Sequence, residues 1–326
     1  MTKESLKGSQ MEKTMEAIVT GRMTDDQIQE FLLGLREKGE TASEITAAAR
    51  VMRNHSLKLS KRFPGLLDTC GTGGDERQTF NISTLAAIVA CATGASVGKH
   101  GNRSVSSTCG SADLLEALGV KVDLPIPQIE RSIEKTGFGF FFAPRFHPAT
   151  RFAMPARKRI KGKTLFNILG PLSNPASASY QLIGVYQEAL VQVVADVLKA
   201  LGSKKALVVH GKDGLDEITT CDETMIAELD SGKVKIYWIK PEDFQLKRAS
   251  INELQCRSKE EAKKIALGVL KGEPGAASDI VSLNAGAALY AAEKTASIHE
   301  GFERCQKTLR DGSAYKKLEN IVAASQ

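Results

Sequence analysis

The sequence lacks the cysteine patterns of disulfide-rich and zinc-binding proteins. Its 326 residues include six cysteines, and no two of them have CxxC spacing. No uninterrupted apolar segment approaches the roughly 18 residues that a membrane span needs. The N-terminal segment mixes both charges and contains no apolar signal region. We therefore expect a cytoplasmic protein with reduced thiols and no membrane association.

Acidic residues are absent from two long stretches of the chain. Overall the chain has 44 Lys and Arg against 38 Asp and Glu, a net charge of +6, which is modest for a nucleic-acid-binding protein. Between Arg77 and Ala112, however, there is no Asp or Glu, and residues 145–163 contain seven Lys and Arg and no acid. Acid-free segments rich in cations, amides and hydroxyls favour an anionic ligand such as a phosphate.

The pattern of apolar residues predicts two structural parts. Capping-box patterns at Thr24 and Thr41 precede amphipathic helical segments, and no strand is expected before about residue 66. From there, strands alternate with helices, which indicates a mostly parallel central sheet flanked by helices. We expect an α/β protein with a small helical domain at 1–65, joined by helices from about 157–177, and a large α/β domain at 66–326.

Several individual elements can be predicted from the same pattern. Strands are expected at 66–69, 95–98 and 120–124, and a hairpin is expected from the segments TMIAELDSG and KVKIYWI. Ser258 should open a C-terminal helical region. The Gly-Pro and Asn-Pro steps of FNILGPLSNP should break the helical pattern there.

The segment GTGGD at 71–75 follows a predicted strand and precedes a predicted helix. Glycines at such a position let the backbone turn its N–H groups toward an anion, and the helix N-terminus adds partial positive charge. The segment matches neither GxGxxG nor the Walker pattern, so dinucleotide and P-loop sites are poorly supported. A plain glycine turn is the alternative.

Downstream polar clusters strengthen the prediction of an anion site. Residues 81–84 (NIST) and 99–107 (KHGNRSVSS) supply cations, amides and hydroxyls within the acid-free stretch. Simple loop or helix-cap chemistry is the alternative for any one of these clusters. Three clusters together favour a site for a phosphorylated ligand.

Adjacent carboxylates follow a later predicted strand, ALVVHG. Asp216 and Glu217 stand where open α/β sheets bind ligands, and such a pair beside phosphate loops suggests Mg²⁺. A solvated acidic turn is the alternative. No Ser-His-Asp or Cys-His arrangement can be recognised around His100 or His147.

Seven motifs in register carry a resemblance to a known family. The segments are DTCGTGGD, FNIST, KHGNRSVSS, GSADLLEALG, HPAxRxxxPARK, TLFNILGPLSNP and HGKDGLDE. From about residue 10 to 300 the chain strongly resembles the anthranilate phosphoribosyltransferase family. The resemblance implies Mg²⁺-dependent transfer of a phosphoribosyl group from phosphoribosyl pyrophosphate to the amine of anthranilate, in tryptophan biosynthesis. It also implies a homodimer that forms through the helical domain, and a substrate cleft between the domains.

The resemblance assigns roles only at matching positions. It implies anthranilate contacts at Gly71, Asn102 and Arg157, and magnesium ligands at Ser83, Asp216 and Glu217. His147 and Pro171 are similar to residues that line the channel for the aromatic substrate. Ser104 stands where the family usually has Ala, and Arg151 adds a charge that bears on anthranilate access. The implied contacts to phosphoribosyl pyrophosphate are Gly71, Gly74, Asp75, Thr79, Asn81, Ile82, Ser83, Thr84, Lys99, His100, Gly101, Asn102, Arg103, Ser104, Val105, Ser106, Ser107 and Ser111.

Two other functions are compatible with parts of the sequence. A pyrimidine-nucleoside phosphorylase resembles the chain in fold and in its phosphate loops, but Asp216-Glu217 and the GPLSNP segment fit it less well. A nucleic-acid-binding relative without activity would use the basic segment 145–163. We expect small-molecule substrates and no nucleic acid, because the phosphoribosyl and magnesium motifs are intact.

Overall fold

The computed structural model describes residues 4–104 and 109–326. Three helices come first, and Thr24 and Thr41 cap the second and third through reciprocal capping boxes, as predicted. The described α-helices are α1 Gly8–Val19, α2 Asp25–Lys38, α3 Ala42–Asn54, α4 Ile82–Ala92, α5 Ser111–Ala117, α6 Ile126–Thr136, α7 Ala143–Phe146, α8 Met154–Arg159, α9 Leu165–Leu172, α10 Leu190–Ala200, α11 Lys259–Leu270, α12 Ala276–Ala291, α13 Ile298–Arg310 and α14 Ser313–Ser325. Short 3₁₀ helices lie at Pro148–Phe152, Pro241–Phe244 and Ile251–Glu253.

A seven-stranded sheet forms the centre of the molecule. Its strands are β1 Leu67–Asp68, β2 Val97–Gly101, β3 Phe138–Phe142, β4 Tyr180–Gly184, β5 Lys205–Gly211, β6 Thr224–Asp230 and β7 Lys233–Ile239. The spatial order is β3-β2-β1-β4-β5-β6-β7. The first five strands in this order are parallel, whereas β6 and β7 form the predicted hairpin and are antiparallel.

The strand order reverses between β1 and β4. Strands β2 and β3 lie on one side of β1, and strands β4 to β7 lie on its other side. The carboxyl ends of β1 and β4 therefore border a crevice. Open α/β sheets bind ligands at such a switch point. The topology therefore brings the loop after β1 and the loops after β4 and β5 to one edge of the sheet.

Both faces of the sheet are covered by apolar side chains. Leu182 and Leu207 point into a core with α4, α12 and α13, while Ile183 and Val208 point into a second core. This second core also contains α1–α3 and α8–α10, so the N-terminal helices pack with later helices and with the sheet. Strands that are buried on both faces are typical of parallel sheets with helical layers. The predicted fold class is confirmed.

Three element predictions were wrong in detail. Residues 120–124 are not a strand; β2 continues beyond Gly98 to Gly101; and α9 extends through Pro171 to Leu172. As a consequence, Lys99 and His100 lie on a buried strand, whereas the sequence suggested a loop. Within the described ranges, no helix is long and apolar enough to cross a membrane.

Candidate active site

A cavity of about 530 Å³ opens at the carboxyl ends of β1 and β2. It is bounded by the sheet on one side and by α3, α8 and α9 on the other. Most of the site residues inferred from the sequence line it: Gly71, Gly74, Asp75, Thr79, Asn81, Ile82, Ser83, Thr84, Lys99, His100, Gly101, Asn102, Ser111, Arg157, Asp216 and Glu217, together with His147 and Pro171.

The loop after β1 runs close to β4 and turns through glycines. A Cβ on Gly71 would lie 3.0 Å from the carbonyl oxygen of Gly184, so no larger residue fits without a shift. The Thr72 N–H donates to the same carbonyl over 2.9 Å. Gly73 and Gly74 have φ values of +63° and +82°, a region that residues with a Cβ rarely adopt. The backbone is thereby fixed in a tight turn beside the cavity.

The N-terminus of α4 points polar groups toward the same cavity. Asn81 precedes this helix, and its Nδ2 donates to the Cys109 carbonyl over 2.8 Å. The Asn81 Oδ1 and Thr84 Oγ1 atoms are buried and have no hydrogen-bond partner among the described residues. Buried polar atoms without partners are costly, and they mark a position where a polar ligand would complete the hydrogen bonding. The helix N-terminus adds partial positive charge for an anion.

Lys99 brings a buried cation beneath the loop. Its side chain is 1% exposed, and its Nζ donates to the Thr69 carbonyl over 3.1 Å, to Thr69 Oγ1 over 3.0 Å and to Ser83 Oγ over 3.4 Å. Its position on β2 fixes the cation between the loop after β1 and the start of α4. A buried ammonium held in this way strengthens binding of a phosphate at the loop.

Three carboxyl groups, those of Asp75, Asp216 and Glu217, converge beside the loop after β1 and the start of α4. Asp216 and Glu217 are half-buried, and Glu217 Oε1 accepts a hydrogen bond from the Ser83 N–H over 3.1 Å. Burial, with Asp75 and Glu217 adding negative charge, raises the pKa of Asp216 well above its usual range. Burial also raises the pKa of Glu217 to about 8, although Lys99 opposes this shift. Carboxylates that repel one another in this way suit a divalent cation, because Mg²⁺ prefers oxygen ligands and would remove the repulsion.

The other end of the cavity is largely apolar. Met52, Phe166 and Leu169 line it beside the rings of His100 and His147, whose centroids are 5.0 Å apart. The His100 Nδ1 donates to the Gly170 carbonyl over 2.9 Å, which leaves Nε2 as an acceptor. Burial lowers the pKa of His100 to about 3 and that of His147 to about 4, so both rings are neutral at pH 7. This end fits a flat aromatic molecule.

Arg157 places a cation at the apolar end. Its guanidinium lies 5.0 Å from the centroid of Phe166, and burial lowers its pKa. The strongest polar contact recorded for it is a 3.8 Å approach to Met154 Sδ. A half-buried guanidinium without a carboxylate partner among the described residues is suited to bind a carboxylate ligand.

Comparison with known proteins decides the family. Residues 64–315 match the family described as "Glycosyl transferase family, a/b domain", and residues 1–56 match "Glycosyl transferase family, helical bundle domain". The chain is 50% identical to the anthranilate phosphoribosyltransferase of Alkalilimnicola ehrlichii over 318 residues, which is 98% of this chain and 94% of that protein. It is 50% identical to that of Nitrosomonas europaea over 97% of this chain and 93% of the relative.

The chain belongs to the anthranilate phosphoribosyltransferase family. It is therefore a glycosyltransferase-family enzyme. The crystal structure of the family member from Thermus thermophilus superimposes with a TM-score of 0.91 at 41% identity, covering 99% of this chain and 97% of that one. The Saccharomyces cerevisiae member in complex with phosphoribosyl pyrophosphate and Mg superimposes with a TM-score of 0.89 at 25% identity, covering 98% and 93%.

Some of the residues predicted to contact phosphoribosyl pyrophosphate lie away from the cavity wall or outside the described residues. Arg103 forms a two-point ion pair with Glu116 at 2.6 and 2.7 Å, and the Ser104 N–H donates to Asp113 over 3.0 Å. Neither residue lines the cavity. Val105, Ser106 and Ser107 fall outside the described residues.

Sequence reasoning missed a buried network that joins three of the family motifs. Asp68 Oδ1 accepts from the N–H groups of Cys70 and His100, over 3.0 and 3.1 Å, and Asp68 Oδ2 accepts from Asn174 over 2.7 Å. Asn174 also donates to the Gly98 carbonyl over 2.8 Å. The only available signal was the presence of both residues in recognised motifs, DTCGTGGD and GPLSNP, which gives no indication of their contact.

Proposed function

We propose that this chain transfers the phosphoribosyl group of 5-phosphoribosyl 1-pyrophosphate to the amine of anthranilate and releases pyrophosphate, with Mg²⁺, in tryptophan biosynthesis. One observation carries the proposal: a single cavity joins an anion-binding end, with Lys99 and the start of α4, to an apolar end where Arg157 has no carboxylate partner among the described residues. A phosphorylated sugar and an aromatic acid fit these two ends. Relatives in this family carry the corresponding name.

Ser83, Asp216 and Glu217 are the residues that would hold Mg²⁺. The donor set fits, because Asp216 and Glu217 are half-buried with raised pKa values and Ser83 adds a hydroxyl beside Lys99. When bound, Mg²⁺ supplies positive charge against the pyrophosphate oxygens. A yeast relative binds phosphoribosyl pyrophosphate and Mg.

The chain's own groups stabilise charge and position the substrates. Loss of pyrophosphate leaves positive charge on C1 of the ribose and negative charge on the leaving group. The loop N–H groups, the α4 N-terminus and the Lys99 ammonium face that negative charge. The amine of anthranilate is a neutral nucleophile at pH 7, and the rings of His100 and His147 are also neutral, so neither ring adds positive charge beside it. Holding the amine against C1 then supplies much of the rate acceleration.

Arg157, Gly71 and Asn102 are the proposed contacts to anthranilate. Arg157 is presented by α8 at the apolar end, while Gly71 and Asn102 border the same cavity from the segments that follow β1 and β2. The planar guanidinium can bind a carboxylate with two parallel hydrogen bonds. The aromatic ring would then lie among Met52, Phe166 and Pro171 with its amine toward the phosphoribosyl end.

We further propose a cytoplasmic homodimer that forms through the helical domain. The six cysteines are free, which suits a reducing compartment. Leu57, just after α3, is a large apolar side chain that is 44% exposed in the single chain. Light scattering during size-exclusion chromatography should give twice the 35.1 kDa chain mass. A monomer at micromolar concentration would contradict the dimer.

The decisive experiment follows the fluorescence of anthranilate. On addition of phosphoribosyl pyrophosphate and Mg²⁺ to the protein, the anthranilate signal should fall, and stoichiometric pyrophosphate should appear. A chelator should stop the reaction. Phosphorolysis of uridine or thymidine, tested in parallel, should be undetectable. Phosphorolysis without anthranilate consumption would replace the proposal with the nucleoside phosphorylase alternative.

A further inference from the structure

Lys163 reaches from the helical layer to the loop after β1. It lies in the connection between α8 and α9. Two residues earlier, the Lys161 carbonyl accepts a hydrogen bond from Arg36 of α2 over 2.7 Å, which anchors this connection to the helical layer. The Lys163 side chain crosses to Gly74: a Cβ on Gly74 would lie 3.1 Å from Lys163 Cε. A residue from one side of the cleft therefore packs on the phosphate-binding loop of the other side.

The Lys163 ammonium is held loosely at this loop. Its Nζ is 3.6 Å from Glu76 Oε1 and 4.5 Å from the ring centroid of Tyr186. The Glu76 side chain is 84% exposed and that of Lys163 is 29% exposed, so water screens the pair strongly. Tyr186 lies beside the same loop, because its N–H donates to Thr72 Oγ1 over 3.1 Å. Lys163 is thus fixed along its stem and weakly paired at its tip.

A phosphorylated ligand in the loop would compete with Glu76 for this ammonium. Glu76 offers one exposed carboxylate, whereas a pyrophosphate offers several charged oxygens held by backbone N–H groups. Glu76 itself has a φ of +62°, an unfavourable backbone conformation for a residue with a Cβ, and such strain often accompanies function. The exchange needs only a rotation of the Lys163 side-chain end, since its stem already lies on Gly74.

We propose that Lys163 is a substrate-binding residue, which leaves Glu76 and contacts the anionic part of phosphoribosyl pyrophosphate when it occupies the loop. Lys163 then joins the helical layer to the substrate bound on the sheet. The proposal rests on the proposed function, since it takes phosphoribosyl pyrophosphate as the ligand. Glu76 acts as a competitor that holds the ammonium at the loop before the substrate binds.

Four variants test this role through their steady-state kinetics. Lys163→Met should raise KM for phosphoribosyl pyrophosphate about tenfold, the size expected for one lost charge-assisted hydrogen bond, and should leave KM for anthranilate within about twofold. Lys163→Arg should restore most of the affinity. Lys161→Met removes an exposed neighbouring cation and should change neither constant. Glu76→Gln should lower KM for phosphoribosyl pyrophosphate about twofold, because the competing carboxylate is gone.

The Lys163→Met and Glu76→Gln variants should change KM for phosphoribosyl pyrophosphate in opposite directions. This difference distinguishes substrate binding by Lys163 from a purely structural role of the ion pair. If the pair only braces the loop, Lys163→Met and Glu76→Gln should both raise this KM, and that result would overturn the proposal. Equal effects of Lys163→Met and Lys161→Met would do the same. Calorimetry with inorganic pyrophosphate and Mg²⁺ gives a second readout, in which Lys163→Met should bind more weakly. Absence of turnover in the wild type would instead refute the proposed function.

Discussion

Glu217 is a half-buried carboxyl group whose ionised form is expected to serve function but to lower the stability of the fold. Folding raises its pKa from an ordinary 4.5 to about 8, mainly through burial. Between these values the folded state binds more protons than the unfolded chain, so without metal its contribution to stability falls as pH rises from about 4.5 to about 8. Glu217→Gln should therefore raise the unfolding temperature of the metal-free protein at pH 8, while lowering turnover more than about tenfold.

Thermal unfolding at pH 6 and pH 8, with and without Mg²⁺, provides the measurement. Mg²⁺ should stabilise the wild type more at pH 8, where protons compete less for the carboxylates, and should stabilise Glu217→Gln little. Glu223→Gln changes a carboxyl group whose side chain is 39% exposed and pairs with Lys212, and it serves as the control. A variant that is less stable than the wild type at pH 8 in chelator would contradict the burial argument.

Arg157 should discriminate between the two substrates. Arg157→Ala should reduce kcat/KM for anthranilate about ten- to a hundredfold, because a charge-assisted hydrogen bond contributes roughly 1.5–3 kcal/mol. Binding of phosphoribosyl pyrophosphate, measured by calorimetry, should hardly change. Lys158 is exposed on the same helix, so Lys158→Ala should be nearly silent. Damage from Lys158→Ala without damage from Arg157→Ala would mean that anthranilate binds elsewhere.

Individual site residues were predictable where local sequence carries the chemistry. Gly74, Ser83 and Asp216 stand in short motifs whose residue types imply an anion or a cation, and all three line the cavity. Asp68 and Lys163 were not predictable in this way. Asp68 accepts a hydrogen bond from Asn174, which is 106 residues away in the sequence. Lys163, in the connection between α8 and α9, contacts Glu76 in the loop after β1. Such contacts are set by tertiary packing, which no local pattern records.

At the scale of elements, Asn174 ties the segment after α9 to β1 and β2. Its Nδ2 donates to both Asp68 and the Gly98 carbonyl, and all of these groups are buried. Asn174→Ala would leave a buried carboxylate and a buried carbonyl short of a donor, which should cost about 2–4 kcal/mol of unfolding free energy. Urea unfolding at pH 7 measures the loss. Asn320→Ala, on the exposed face of α14, should change the free energy by less than about 0.5 kcal/mol. A similarly small change for Asn174→Ala would show that water replaces its hydrogen bonds.

The element predictions failed at residues 120–124 and 99–100, where tertiary contacts rather than the local sequence pattern decide the backbone structure. Val120, Val122 and Leu124 alternate with polar residues as in a strand, but they bury against helices, and Lys121 donates its N–H to Ser325 Oγ over 3.1 Å. Polar Lys99 and His100 suggested a loop, yet both pair with β3 as part of β2 because their side chains find buried acceptors. The alternation at 120–124 identifies the buried residues but not the backbone pairing, whereas the polarity of Lys99 and His100 predicts neither their burial nor their pairing.

At the scale of the molecule, the helical N-terminus and the sheet share one core. Leu32 of α2 and Ile45 of α3 belong to the same buried cluster as Leu165, Val194 and Val208. The domain boundary near residue 65 stays a prediction. The buried cluster contains residues from both sides of it. The helices α1–α3 bury their apolar faces largely against later parts of the chain, so we expect them to depend on the sheet for their stability.

One cooperative transition should therefore unfold both parts. Trp238 is the only tryptophan and lies on β7 at the far edge of the sheet, so its fluorescence reports there, while far-UV circular dichroism reports mainly on helices. Leu32→Ala, at a fully buried site in α2, should cost about 2–5 kcal/mol and shift both urea transitions together. Asn320→Ala, at an exposed site on α14, should shift neither by more than about 0.5 kcal/mol at equal protein concentration. If Leu32→Ala moves the dichroism transition to lower urea and leaves the Trp238 transition in place, the N-terminal helices unfold independently and the shared core does not couple the two parts.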